Sequence, residues 1–216
     1  MCMSSLINSR REGAGTDGYA PLVTIYADAS CIRNGELDSS AGGGSVLLDE
    51  NRFEIRLVAK YLGPLTNQQA EIVACAQALE QLRRCCRVEI VSDSRYVIDT
   101  MIGHNRIRTN LPFWNRLVKA CYGHHISWRW VKGHSGVPFQ EVADRLARAS
   151  SRASSDLSAE DLEKLSGLLG GSGQFDIRDF KMELEKVVSK YGIANQAFVH
   201  APTFNEIGTL PSAFSA

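Results

Sequence analysis

No apolar run in this chain approaches the roughly 18 residues needed to span a bilayer. The first fifteen residues, MCMSSLINSRREGAG, lack the apolar stretch of a secretory signal. They are rich in Ser and Arg, which leaves an organelle transit peptide open. No C-x-x-C pair occurs among the cysteines at 2, 31, 75, 85, 86 and 121. Reduced thiols packed as small hydrophobes fit that pattern better than a zinc or disulfide framework, and the expected location is cytoplasmic, with a nuclear or organellar one left open. No internal repeat is visible. The glycine-rich GGSG (170–173) has no following Lys-Ser/Thr, so it is not a phosphate-cradling P-loop.

Net charge is also absent, at formally zero over 216 residues. That total hides a division. Residues 22–150 carry 16 Lys and Arg against 13 Asp and Glu, whereas residues 151–216 carry 6 against 9. A mildly basic body with an acidic appendage is compatible with weak phosphate binding, without requiring it. Hydrophobic residues at 44% are ordinary for a globular protein, and the length allows one sizeable core plus an appendage.

Residues 1–20 show no period and read as a flexible lead. LVTIYADAS (22–30) alternates and is rich in strand formers. GGSVLLD (43–49) and RFEIRLVAKYL (52–62) read as two more strands around a turn at Glu50-Asn51, which suggests an antiparallel meander. The pattern then changes. Ile72, Cys75, Ala76, Leu79 and Leu82 share one face of a helix expected over 67–84. A strand at 87–93, helices at 94–102 and 111–122, a strand at 126–131, a loop at 132–138 and a helix from 139 to about 150 complete the order βββαβααβα. That order predicts an α/β fold, a mixed five-stranded sheet flanked by helices.

Residues 151–158 read as a linker. A short helix is expected to 169, with Ser158 and Asp161 spaced like a capping box. The break at 170–173 precedes an amphipathic helix over 176–191, whose stripe runs from Ile177 to Tyr191. This helical extension could pack on its own body, or dock on a protein partner or second copy. Three units are therefore expected: a lead at 1–20, a catalytic domain at 21–150 and an extension at 151–216.

Four acids stand where acids are locally unwelcome. Asp28 follows VTIYA inside a strand. Asp93 ends EIVSD at a strand's C-terminal edge. Glu71 is placed on the first turn of a helix, beside core-facing Ile72. Asp144 lies in VADRLA, on a helix next to a Gly-rich loop. Three have a specific bland alternative: a helix N-cap for Asp93-Ser94, a helix-dipole preference for Glu71, an i,i+4 pair with Arg148 for Asp144. As a set they suggest carboxylates converging at one sheet edge and neutralised by hard divalent cations, Mg²⁺ or Mn²⁺.

At this point the chain resembles a known family. YADASC (26–31), TNQQAE (66–71), VSDS (91–94) and WVKGHSG (130–136) with Asp144 are similar, in order and spacing, to the four motifs of ribonuclease H of type 1. The likeness runs over about 22–150, and the extension resembles no family. It implies an endonuclease that cuts the RNA strand of RNA–DNA hybrids with two Mg²⁺ ions, leaving 5′-phosphate and 3′-hydroxyl ends. Asp28, Glu71, Asp93 and Asp144 would be the metal-binding carboxylates, and His134 would assist proton transfer or product release. Asn34, Asn67 and Gln68 would read the hybrid's minor groove, with Glu71 also touching a ribose 2′-hydroxyl. Thr66 and Asn110 would hold a DNA-strand phosphate, and Trp114 would be core. Ala29 and Pro64 depart from the usual Gly and Arg. Two rivals stay open: a hybrid-binding scaffold without catalysis, and a DNA-cutting resolvase or transposase on the same superfold.

Overall fold

The computed structural model describes residues 20–52, 54–169 and 177–191. Most of the lead, the break at 170–173 and everything after 191 lie outside the described residues.

Three strands open the fold: β1 (Leu22–Ile32), β2 (Ser40–Asp49) and β3 (Glu54–Gly63). They form the expected antiparallel meander, Asp28 facing Gly44 and Val46 facing Leu57. Then follow α1 (Asn67–Leu79), β4 (Arg87–Ser92), α2 (Arg95–Met101), α3 (Leu111–Cys121), β5 (His125–Trp130) and α4 (Pro138–Ala153). β4 runs parallel to β1, and β5 parallel to β4, so the sheet order is β3-β2-β1-β4-β5. Two further helices, α5 (Ala159–Leu169) and α6 (Ile177–Lys190), complete the described chain. The fold class and element order follow the sequence reading.

Strand alternation sends side chains to two cores. Val23, Ile25, Ala27 and Leu47 pack with Ile72, Leu79, Trp114 and Leu117 of α1 and α3. Val46, Leu48, Ile55 and Leu57 face the other way, onto α4. Every residue of β2 is buried. Gly42 and Gly44 explain how α4 lies so close to it. A Cβ on Gly42 would stand 2.3 Å from the Ala147 carbonyl oxygen, and one on Gly44 2.1 Å from that of Ala143. Without side chains there, the helix that carries Asp144 settles against the sheet beside Asp28.

Three local expectations need correction. Helix α1 ends at Leu79, five residues before 84. Gln81 and Leu82 donate instead to Ala78 and Leu79 in tight turns, so Leu82 keeps its apolar contacts without being helical. Glu71 is the fifth residue of α1, whose first turn holds no acid. A preference for the helix N-terminus therefore does not account for it. The stretch 151–158 is no free linker: α4 continues to Ala153, Ser151 is buried, and Asp156 accepts from Lys60 Nζ at 2.7 Å and from the Tyr61 amide at 2.8 Å.

The apolar stripe of the extension is covered by the protein itself. Leu157, Leu165, Leu169, Phe180, Leu184, Val187 and Val188 are all buried in the same cluster as Val46, Leu57 and Leu146. The Ile177 end of the stripe lies outside what is described of the side chains. At the other end, Tyr191 Oη accepts from the Ser158 amide at 3.0 Å and donates to Asp161 Oδ2 at 2.9 Å. Ser158 caps α5 by accepting from the Asp161 amide at 3.1 Å. The reciprocal half of a capping box is thus replaced by the tyrosine that follows α6. Among the described residues, no helix is long and apolar enough to cross a membrane.

Candidate active site

Parallel strands β1 and β4 pair as far as Tyr26 and Val91, and Asp28, still inside β1, and Asp93, just past β4, each follow two residues later. Helix α1 passes over the same edge. One carboxylate oxygen each from Asp28, Glu71 and Asp93 fall within 4.8 Å of one another. Asp28 and Glu71 are 7% exposed, unusual for charged groups without a cationic partner. An open cleft of about 200 Å³ sits on them, and Asp144, His134, Lys132, Asn67 and Gln140 share its lining.

Electrostatics mark the site as strained. Burial raises the Glu71 carboxyl well above the usual range, and Asp28, Asp93 and Asp144 push it further. Burial likewise raises Asp28, with Asp93 and Asp144 adding to it and the Ala29 amide opposing at 2.8 Å. Asp93 and Asp144 are raised too, first by burial, while His134 pulls both down. Glu71 Oε2 and Gln140 Oε1 are buried without a hydrogen-bond partner in the protein. Converging carboxylates and orphaned oxygens are what a hard divalent cation satisfies. The residues present therefore fit such a metal.

The four acids are not equivalent. Asp93 is not a helix cap; Ser94 takes that role, its side chain accepting from the Val97 amide. The main-chain carbonyl of Asp93 accepts instead from Trp130 Nε1 at 3.0 Å. Asp144 stands outside the tight trio. Arg148 grips it with two contacts of 2.8 Å, so the i,i+4 pair expected as the bland alternative is present. It still lines the cleft.

His134 is exposed in the loop after β5, in a left-handed conformation at φ 53°. Asn34 and Asn67 are adjacent: Asn34 Oδ1 accepts from the Asn67 amide at 2.9 Å. Gln68 is exposed beside them. Thr66 caps α1, and Asn110 precedes α3 in a left-handed turn. Gln69 joins these two. Its Oε1 accepts from the Thr66 amide at 3.0 Å, and its Nε2 donates to Asn110 Oδ1 at 3.1 Å. Trp114 is core, 1% exposed. Ala29 lies in regular extended pairing opposite Gly43, as its replacement of glycine requires.

The sequence reading missed Gln69, Gln140 and Lys132 as site residues. Gln140 carried a signal, since it precedes Asp144 by four residues and so shares its helix face. It also donates to the Ala27 carbonyl at 3.2 Å, next to Asp28. Gln69 carried one too, since it stands at capping-box spacing from Thr66, but its link to Asn110, 41 residues away, had no local signal.

Comparison with known proteins agrees. The family model described as RNase H matches residues 20–152. A "Ribonuclease H" of Bradyrhizobium diazoefficiens is 36% identical over 142 residues, spanning 59% of this chain and 88% of that protein. One from Phenylobacterium zucineum is 39% identical over 141 residues, covering 59% and 89%. A crystal structure of LC9-RNase H1, described as a type 1 RNase H with the type 2 active-site motif, superposes with a TM-score of 0.58 and 29% identity, covering 65% of this chain and 77% of that one. The chain belongs to the RNase H family.

Proposed function

We propose that the protein hydrolyses the RNA strand of RNA–DNA hybrids at the Asp28–Glu71–Asp93 cluster. The observation that carries this reading is the convergence of three largely buried carboxylates, one with an orphaned oxygen, in a cleft rimmed by polar side chains. When bound there, two Mg²⁺ ions, or Mn²⁺ in their place, would supply an activated water and a counter-charge for the departing 3′-oxygen, giving 5′-phosphate and 3′-hydroxyl ends.

The protein's own part is positioning. Asp28, Glu71 and Asp93 provide the anionic floor, each fixed by a different element. Asp144, held by Arg148, closes the cleft from α4. His134, exposed and beside Asp93 and Asp144, is placed to move a proton on the leaving side. Asn34, Asn67 and Gln68 form a polar edge suited to the minor groove, and Glu71 reaches a ribose 2′-hydroxyl. Thr66 and Asn110, joined by Gln69, offer an amide and hydroxyl corner for a DNA phosphate. The division into a lead at 1–20, a catalytic unit at 21–150 and an extension at 151–216 belongs to the same proposal. So does a cytoplasmic location, in keeping with five described cysteines that are free.

The test is cleavage of one sequence presented as hybrid, duplex DNA and duplex RNA. Cutting confined to the RNA strand of the hybrid, and slowed sharply by deoxyribose beside the scissile phosphate, is expected. Equal cutting of duplex DNA would move the protein to a resolvase-like activity, and binding without cutting to a scaffold.

A further inference from the structure

Few cations surround the cleft. Lys132 is the one Lys or Arg among its lining residues. Arg148 is committed to Asp144. One other guanidinium stands close by and is built into the site's frame. Arg95, two residues after Asp93, lies over the Trp130 ring at 3.7 Å. The same indole donates from Nε1 to the Asp93 carbonyl at 3.0 Å. Trp130 therefore joins Arg95, on its ring face, to the Asp93 main chain at its edge. Its side chain is 63% exposed, and its ion pair with Asp99 is long at 3.9 Å.

Stacking holds a guanidinium by its face and leaves the edge N–H groups in its plane free to donate. That edge suits two oxygens of a phosphate. Holding the long side chain on the ring beforehand also lowers the entropy lost on binding.

We propose that Arg95, held on Trp130, is a substrate-binding residue that takes a backbone phosphate of the bound nucleic acid next to the Asp93 side of the cleft. This rests on the hybrid-cutting reading given above. Arg95 sets affinity and registers the strand against the carboxylates, and Trp130 keeps it in place.

The experiment is hybrid binding by the full chain in chelator, titrated over a range of salt, for wild type, Arg95→Ala, Arg95→Lys and Arg87→Ala. Arg87 is exposed at the opposite end of β4 and serves as the charge control. Arg95→Ala should bind more weakly, with a log–log salt slope smaller by about 0.9, the loss expected for one phosphate contact. Arg95→Lys should restore the slope but not the full affinity, because the planar fork is gone. Arg87→Ala should match wild type. In steady-state cleavage, Arg95→Ala should raise KM more than it lowers kcat. A wild-type slope in Arg95→Ala would overturn the inference, and so would a loss confined to kcat, which would make Arg95 only a prop for Asp93. Wild type that neither binds nor cuts hybrid would instead sink the reading on which the inference rests.

Discussion

Arg145 on α4 and Glu185 on α6 form an ion pair across the seam between the catalytic body and its extension. Arg145 is 7% exposed and sits next to Asp144 in sequence. The extension is thus joined to the site-bearing helix by charge as well as by apolar contact. Glu185→Ala would take this ion pair away from a buried guanidinium, at a cost of about 1–3 kcal/mol. Thermal or urea unfolding measures it; an unchanged midpoint would show that the pair contributes nothing.

Removing the whole extension should do more. Ser150 lies inside α4, so the informative cut is after Ser155. It strips Leu157, Leu165, Leu169, Phe180, Leu184, Val187 and Val188 from one core. Each buried side chain of this kind is worth about 1.5–3 kcal/mol, against a total stability of about 5–15 kcal/mol. The shortened chain should unfold far below the full-length protein or aggregate. A truncated protein that melts like the full chain would show the extension to be a passive tail.

The pH dependence of stability follows from the raised carboxyls. Asp28 and Glu71 titrate above their ordinary values of 3.8 and 4.5 in the folded protein. Above those values the folded state holds more protons than the unfolded state, so stability from this site falls as pH rises. It is fully present below about 4 and is lost progressively as pH climbs through the folded-state values. Glu71→Gln removes one repelling charge. Without metal, the variant should melt above wild type by a margin that widens from pH 4 toward neutrality. Added Mg²⁺ should stabilise wild type and narrow the gap. A gap that stays constant or shrinks with pH in chelator would contradict the assignment.

Gly133 lies close against the Asp93 carboxylate. A Cβ there would stand 2.5 Å from Asp93 Oδ2. The carboxylate can rotate away without disturbing the core, so Gly133→Ala should fold normally yet lose turnover. Full activity would mean that the Asp93 orientation does not matter. His134→Ala should lower the rate by about 10²–10⁴-fold without abolishing it, because water can partly replace a proton carrier in an open site. Unchanged kinetics would make His134 a bystander.

Much of this was legible in the sequence, and the reasons differ by element. Alternation in LVTIYADAS and the 3.6-residue spacing after Asn67 are local signals, so strands and helices could be placed from neighbours alone. The carboxylates stood out because an acid inside an apolar strand needs a reason. Gly42 fell outside the strand read at 43–49 and Gly44 opened it weakly; their purpose depends on α4, a hundred residues later. The stripe on α6 announced that it must be buried but not by what, since periodicity gives a face and never its partner. The link from Gln69 to Asn110 was silent for the same reason. Asp144 shows the opposite case: its bland i,i+4 pair with Arg148 is real, and Asp144 still lines the cleft.

The most direct test of the central claim is cleavage of a strand-labelled RNA–DNA hybrid by wild type, Asp93→Asn and Glu71→Gln, with Mg²⁺ and with chelator, after each variant is shown to be folded. The account expects wild type to cut only the RNA strand and only with the divalent ion, and both variants to lose turnover by orders of magnitude while remaining as stable as wild type or more so. Cleavage that survives chelator, or near wild-type activity in folded Asp93→Asn, would contradict it.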